Sequence, residues 1–405
     1  MKLRFIDLFG APGGMSLGMK MAGLQPVAAL DNFAEGLKTY GRNFPEVPEQ
    51  NIVNADASEK DIVKIFQRQT GLRPDDVDVI VGGPPCQGFS TVGRVLISKL
   101  IKKGMRKGRK AEPRFIQDKR NNLYKTFVKF VKYYKPRCIV MENVRGMVSY
   151  RNGWAVKQIM DDFRNAGYPN IDNKILNAAD YGAPQIRKRI FFIATRENKI
   201  QNIQPPPTHF VNSGLDRKQL DASSLYYVTV MEAIGDLPYL SIPEKAKKIK
   251  EAIMEYKTDP TCDFQTWARK NSGKVDNNIT RWHRDMDKEI FAKMKPGDKW
   301  ADLSARDRKR IGYNDDSFND KWKRLPMNRP SHTIVAHLQK DGYMFIHPTQ
   351  DRTISVREAA RLQSFPDSFV FCGERGLQFR QVGNAVPPLL ARAVGKTVLK
   401  ILQSQ

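Results

Sequence analysis

Between residues 4 and 195 the chain alternates repeatedly between two kinds of stretch. Short apolar runs, rich in β-branched and aromatic residues, give way to longer runs of helical periodicity. The candidate strands are Arg4–Phe9, Pro26–Leu30, Val77–Val81, Cys138–Met141 and Ile190–Ala194. The candidate helices are Ser16–Ala22, Ala34–Asn43, Glu59–Gln69, Leu123–Tyr134 and Trp154–Asn165. This rhythm predicts an α/β fold with a doubly wound, mostly parallel sheet. Ligands of such sheets gather just beyond the carboxyl ends of the strands, so the loops after the strands are the places to search.

The chain has 405 residues, enough for two or three domains. Its formal net charge is +25, from 68 Lys and Arg against 43 Asp and Glu. Such an imbalance calls for a polyanion, either nucleic acid or an anionic membrane surface. No run approaches the roughly 18 apolar residues of a membrane span, and there is no amphipathic anchor or lipidation motif, which leaves nucleic acid. The amino terminus runs straight into a strand pattern, so no signal peptide is expected. The cysteines, Cys86, Cys138, Cys262 and Cys372, form no CxxC pair. Neither a zinc site nor a disulfide framework is therefore expected, and a reducing cytoplasm fits.

Two segments interrupt the alternation. Residues 94–117 include "SKLIKKGMRKGRKAEPR", which carries eight Lys or Arg and one Glu between Ser98 and Arg114. This is either a solvated loop or a segment that faces nucleic acid. The second break opens at "QPPPTH", residues 204–209, after which the alternation is gone. The expected organisation is a catalytic domain over 1–204 and a smaller domain over 205–328. A carboxy-terminal segment over 329–405 follows, its last helix packing back on the first domain. Val356–Gln363 and Pro388–Leu402 read as amphipathic helices.

Several post-strand loops carry chemistry. "FIDLFGAPGGMSLGM", residues 5–19, places Gly10, Gly13 and Gly14 between a strand and a helix, where missing side chains let the backbone approach a ligand. Asp31 ends the second strand, where an acid can hold ribose hydroxyls, and Asp56 follows a similar short stretch. "DVIVGGPPCQGFS", residues 78–90, ends a buried strand with Gly-Gly-Pro-Pro. The two prolines fix φ and remove two donors, so Cys86 sits on a stiff turn. "CIVMENVRGM", residues 138–147, brings Glu142 near Cys86 if the two strands are parallel neighbours. A carboxyl group so placed is usually raised in pKa. In "YGAPQIRKRIFFIAT", residues 181–195, Arg187 and Arg189 point the same way from an extended backbone and could clamp a base or phosphate. "RQVGNAVPPLLARAVG", residues 380–395, marks a turn and a helix start.

Taken together, these segments resemble the C5-cytosine DNA methyltransferase family, as in restriction–modification systems. The resemblance rests on "FGAPGG", Asp31, "GGPPCQGFS", "ENV", "QIRKR", "RPSHTIV" (329–335), "REAARLQSFPD" (357–367) and "QVGNAVPP", in that order over nearly the whole chain. It implies a Rossmann-like sheet that uses S-adenosylmethionine, with a smaller target-recognition domain. It implies Cys86 as nucleophile, and Glu142 engaging the N3 edge of cytosine with Asn143 steadying the loop. Arg187 and Arg189 would stabilise the base and the Cys loop. Phe9, Gly10, Gly13, Gly14, Asp31, Asp56, Pro84, Leu123 and Asn384 would surround the cofactor. Arg329 and Thr333 would support the recognition region, and no metal is needed. The implied substrate is double-stranded DNA with its target base flipped out, and the implied setting is a cytoplasmic monomer that can share its site with a restriction endonuclease.

The chain departs from the family's Phe-x-Gly-x-Gly-Gly loop: Ala11 and Pro12 take the third and fourth places, and the first glycine stands at position 10. Asp31 stands where glutamate is commoner, and the basic insert after Ser90 is longer than usual. Three other readings compete: a tRNA methyltransferase of the same family, a non-catalytic DNA-binding relative, and a dinucleotide-dependent oxidoreductase. The sizeable region before residue 328, the full set of catalytic residue types and the Pro-Cys loop argue against each in turn.

Overall fold

The computed structural model describes residues 2–85, 123–197, 203–211, 225–241, 253–312 and 321–403. Cys86 and the basic insert 98–114 lie outside the described residues. The chain divides into two compact units. The first comprises 1–177, 188–206 and 390–405, and the second 178–187 and 207–389.

The first unit is built on a seven-stranded sheet. Its elements are β1 (Arg4–Leu8), α1 (Gly14–Ala22), β2 (Gln25–Asp31), α2 (Ala34–Asn43), β3 (Ile52–Asn54), α3 (Ile62–Thr70) and β4 (Val79–Gly82). Then come α4 (Leu123–Tyr134), β5 (Cys138–Val144), α5 (Trp154–Asn165) and β6 (Asn170–Asn177). A two-residue strand, β7 (Gln185–Ile186), belongs to the second unit, and β8 (Lys188–Thr195) returns to the first. The strand order is β3-β2-β1-β4-β5-β8-β6. The five strands from β3 to β5 are parallel, while β8 runs antiparallel to both β5 and β6.

Because helices cover the sheet, its central strands are largely apolar rather than alternating, with Asp7 a buried exception in β1. Ile6, Leu8, Ala28, Leu30, Ile80, Ile139, Met141 and Phe192 form one core with Phe127 and Phe130 of α4 and Phe163 of α5, nearly all of it sealed from solvent. Each fully buried Phe contributes roughly 1.5–3 kcal/mol of transfer free energy. The polar edge strand β6, "NIDNKILN", is half-exposed and was not anticipated from the sequence. The helix α3 begins at Ile62 rather than Glu59, since the preceding residues are taken up by a turn in which the Glu59 N–H meets the Asp56 carbonyl.

Among the described residues the second unit has two-residue strand pairs and short helices. These are β9 (His209–Phe210), β10 (Leu225–Tyr226), α6 (Val230–Ile234), β11 (Met254–Glu255), α7 (Asp263–Arg269), β12 (Lys274–Val275), α8 (Asp285–Lys293) and α9 (Ala305–Ile311). β13 (Ser331–His332), α10 (Val356–Leu362) and α11 (Arg375–Asn384) complete it. Trp300 and Trp322 are core residues here, Trp322 stacking on Tyr343 at 4.7 Å and meeting Phe291 at 5.1 Å.

The expected amphipathic helix at 356–363 is instead buried on all sides. Its charges are internally paired: Arg352 grips Glu358 through 2.8 and 2.6 Å contacts, and Arg361 lies between Asp236 (2.7 Å) and Asp367 (2.6 Å). Periodicity cannot distinguish a solvated charge from a buried one that has found its counter-charge. The last helix, α12 (Pro388–Gln403), passes from the second unit into the first. There Gly395 lies so close to α1 that a Cβ on it would stand 2.8 Å from the Ala22 methyl.

Candidate active site

The carboxyl ends of the parallel strands bring the sequence candidates of the first unit to one edge of the sheet. After β1, Phe9 takes a left-handed φ of 63° and donates its N–H to the Leu30 carbonyl at 2.7 Å. Gly13 has φ 111°, and a Cβ there would lie 2.5 Å from the Phe44 ring, so this turn needs glycine. Asp31 at the end of β2 clamps the loop: one oxygen accepts the Ala11 N–H (3.1 Å) and the other the Phe33 N–H (3.0 Å). Asp56 is exposed beyond β3 and accepts the Ser58 N–H at 2.8 Å. Leu123 begins α4, packed partly against the core.

The two glycines ahead of the Pro-Cys turn answer to tight neighbours. β4 pairs with β1, and a Cβ on Gly82 would stand 2.2 Å from the Leu8 carbonyl oxygen. β4 also pairs in parallel with β5, Gly82 opposite Met141, so Gly83 comes abreast of Glu142. A Cβ on Gly83 would stand 3.1 Å from Glu142 Oε2. The amide of the buried Asn143 donates to the Pro84 carbonyl at 3.1 Å, fastening the start of the Pro-Cys loop to the end of β5.

On the other side of β5 stands β8. Because β8 is antiparallel, its amino-terminal residue Arg189 falls at the same edge as the carboxyl end of β5, opposite Val144. Arg189 Nε lies 3.1 Å from Glu142 Oε1, and both side chains are largely buried, 17% and 13% exposed. Burial pulls the Arg189 pKa down and the Glu142 charge pushes it back up.

Arg187 does not share the surroundings of Arg189, contrary to the expectation that the two point the same way. It precedes β8, belongs to the second unit and is 2% exposed. Its Nη1 donates to the Ile334 carbonyl at 2.6 Å and its Nη2 to the Gly383 carbonyl at 3.2 Å. Gln185 donates to the Leu362 carbonyl (2.9 Å) and accepts the Ile334 N–H (3.0 Å), while Thr333 donates to the Ile186 carbonyl (2.7 Å). The start of "QIRKR", Gln185–Arg187, is thus laced to "RPSHTIV" and "QVGNAVPP" inside the second unit. Gly383 permits it, since any Cβ there would lie 2.3 Å from the Ala336 nitrogen. Asn384 follows, exposed at the end of α11. The Arg329 carbonyl accepts the Val230 N–H at the start of α6.

Sequence reasoning passed over one acid at this edge. Asp7, inside β1, is 1% exposed beneath the glycine loop, and burial lifts its carboxyl to about 7. The signal was an acid within an otherwise apolar strand. Among the described residues there is no cluster of His, Cys, Asp or Glu that could hold a metal ion, and no helix is long and apolar enough to cross a membrane.

The doubly wound sheet, with its glycine loop, acid-tipped second strand and Pro-Cys loop held against Glu-Asn-Val, defines a methyltransferase of the S-adenosylmethionine-dependent fold. Comparison with known proteins narrows the class. The family model for C-5 cytosine-specific DNA methylase matches residues 3–400, and the chain belongs to that family. It is 34% identical to the type II methyltransferase M.DdeI of Desulfomicrobium norvegicum, over 98% of this chain and 88% of that protein. It is 31% identical to the type II methyltransferase M.AgeI of Thalassovita gelatinovora, over 98% and 99%. A solved prophage-encoded protein of E. coli, described as a DNA modification methyltransferase, superposes with a TM-score of 0.70 at 26% identity, covering 99% of this chain and 100% of the other.

Proposed function

We propose that the protein methylates C5 of a flipped-out cytosine in duplex DNA, using S-adenosylmethionine and a transient bond between Cys86 and C6. The observation that carries this reading is the fastening of the Pro-Cys loop: Asn143 holds the Pro84 carbonyl while Gly83 lies against the Glu142 carboxylate. The nucleophile's loop and the acid expected to act on the ring are thereby anchored to each other two residues ahead of Cys86.

The residues at the glycine loop suit the cofactor. Asp31 and Asp56 stand at adjacent strand ends, joined where the Ala55 N–H meets the Asp31 carbonyl at 3.0 Å, and two acids so placed match a ribose diol and an adenine amino group. Phe9, Gly10, Gly13, Gly14, Pro84 and Leu123 would line the same site. Bound there, S-adenosylmethionine supplies an electrophilic methyl group.

The chain's own groups act on the cytosine. The target base lies inside the stack, so it is flipped out at a cost of a few kcal/mol. The Cys86 thiolate adds to C6, and Glu142, starting as the neutral acid, passes its proton to N3 as negative charge develops on the ring, which leaves Glu142 as the carboxylate. Arg189 holds the Glu142 carboxylate in place, and Arg187 braces the motifs of the second unit. Once C5 carries its methyl group, the C5 proton passes to water, the C5–H electron pair becomes the C5–C6 double bond as Cys86 leaves as thiolate, and the N3 proton returns to Glu142. A free thiol ionises near pH 8.5, so the positive charge of Arg189 beside Glu142 would favour the thiolate.

The positive surface would contact phosphates, and residues 205–328 would read base edges in the major groove. The type II relatives support a restriction–modification setting in the cytoplasm, where the enzyme, a monomer, protects sites from a cognate endonuclease. Incubation with S-adenosylmethionine and duplex DNA containing 5-fluorocytosine at the target should trap the protein covalently, because fluorine cannot leave C5 as the proton does, and Cys86→Ser should neither trap nor methylate. Full methylation by the Ser variant would overturn the reading.

A further inference from the structure

Asp7 is a fully enclosed carboxyl with no counter-charge. Among the described residues it makes no ion pair, and its Oδ1 has no hydrogen-bond partner. Its strand neighbours are Ala29 of β2 and Val81 of β4, neither of them polar. Above it lies the glycine loop, so close that a Cβ on Gly10 would stand 2.7 Å from the Asp7 carboxyl carbon. Its Oδ2 lies 2.7 Å from Ser16 Oγ in α1, and Ser16 Oγ lies 3.0 Å from the Tyr40 hydroxyl of α2. Ser16 and Tyr40 are themselves fully buried.

A hydroxyl chain of this kind accommodates either charge state. With the carboxyl neutral, Asp7 donates to Ser16 and Ser16 donates to Tyr40. With the carboxylate charged, both donations reverse. The Ser16 backbone N–H also donates to the carboxyl and favours its charged form, but burial and the remaining surroundings outweigh it and favour the neutral acid. The one charged group facing it from β2 is Asp31, of like sign, and from α2 it meets only the Tyr40 phenol. Lys20 of α1 is engaged with Glu46 at 2.6 Å, and Glu46 bears on Tyr40 rather than relieving Asp7.

We propose that Asp7 is a positioning residue that carries a proton in the binding-competent protein, and that the neutral acid seats the glycine loop against β1. Ionisation puts a second negative charge beside Asp31 beneath the same loop, so the loop unseats as the proton leaves. This rests on the reading of the loop as the cofactor site. Burial is the leading cause of a carboxyl lifted to about 7, offset in part by the Ser16 hydrogen bond and increased by Asp31.

The test uses the full chain and S-adenosylhomocysteine, whose neutral sulfur removes direct attraction between a sulfonium and a carboxylate. Calorimetric affinity should be flat from pH 6 to about 7 and then weaken by up to tenfold per pH unit, as one linked proton requires. Asp7→Asn, isosteric with the neutral acid, should bind as wild type does at pH 6 and hold that affinity to pH 8.5. Ser16→Ala, which removes the side-chain bond that lowers the pKa and keeps the Ser16 backbone N–H bond, should move the wild-type break to higher pH. A second measurement needs no ligand. The melting temperature of Asp7→Asn relative to wild type should rise between pH 4 and 7 and level off above, because the native pKa exceeds the unfolded one. A pH-independent melting difference, or a break unmoved in both variants, overturns the proposal. Failure of every protein, wild type included, to bind S-adenosylhomocysteine, with the melting difference intact, overturns the cofactor reading instead.

Discussion

Glu142 and Arg189 meet at 3.1 Å across two strands that run in opposite directions. In the antiparallel pair Glu142 lies opposite Phe191, so Arg189 is its diagonal neighbour on the same face. The pair is mostly shielded, which makes each partner costly to remove alone.

Arg189→Ala should therefore reduce kcat about 100-fold, the usual scale for losing one charged group that steadies a developing charge. DNA affinity should change little. Single-turnover methylation beside a DNA-binding titration checks this, and an unchanged methylation rate would count against a role for the pair.

Asp31→Ala should weaken cofactor binding by about 1–3 kcal/mol through the loss of charge-assisted hydrogen bonds. It also frees the Ala11 and Phe33 N–H groups, so the loop should loosen and exchange amide hydrogens faster. Asp56→Ala, at an exposed turn, should cost less. Calorimetry that ranks the two variants the other way would displace Asp31 from the site.

Stability below neutral pH should depend on Glu358. Burial alone would raise its pKa, but Arg352 and His347 outweigh that and hold it at about 2. Its folded value lies below the unfolded one, so its contribution is complete above about pH 4.5 and disappears as pH falls toward 2. Glu358→Gln should be less stable at pH 7 by roughly 3–5 kcal/mol, because Arg352 is left buried without its partner. The deficit should shrink on acidification, as read by urea midpoints at pH 7 and pH 3.

Replacing Lys102, Lys103, Arg106 and Lys107 with Ala should lower the salt slope of log K for DNA by up to about 4, at roughly 0.9 for each phosphate that is no longer neutralised. Cognate and non-cognate duplexes should weaken alike, since phosphates carry no sequence information. A salt titration with an unaltered slope would leave the insert outside the DNA interface.

Much of the first unit was legible in the sequence because local periodicity and tertiary demand agree there. The spans of α2, α4 and α5 coincide with those expected, each a long amphipathic run with clear ends. The carboxyl-edge residues were legible too, as turn chemistry follows each apolar strand. The direction of β8 was not, because "KRIFFIAT" reads the same whether its strand runs up or down the sheet. That direction is what brings Arg189 to Glu142. Arg187, two residues earlier, looked like its twin, and only tertiary structure commits it to the Ile334 and Gly383 carbonyls. Asp7 was hidden by its own strand, where an apolar setting passes for plain core.

The closeness of Gly395 to Met19 and Ala22 has a consequence for the birth of the protein. A helix that covers α1 comes from the far end of the chain, after the whole second unit. At about 5–20 residues per second, a ribosome that has finished α1 needs roughly 20–75 s more to deliver its cover. During that interval the face of α1 that carries Met19 is open to chaperones, and the nascent first unit lacks a piece of its own wall. The polypeptide thus becomes a finished enzyme only once α12 has been made, and truncation within α12 should send it toward proteolysis rather than yield a smaller working catalyst.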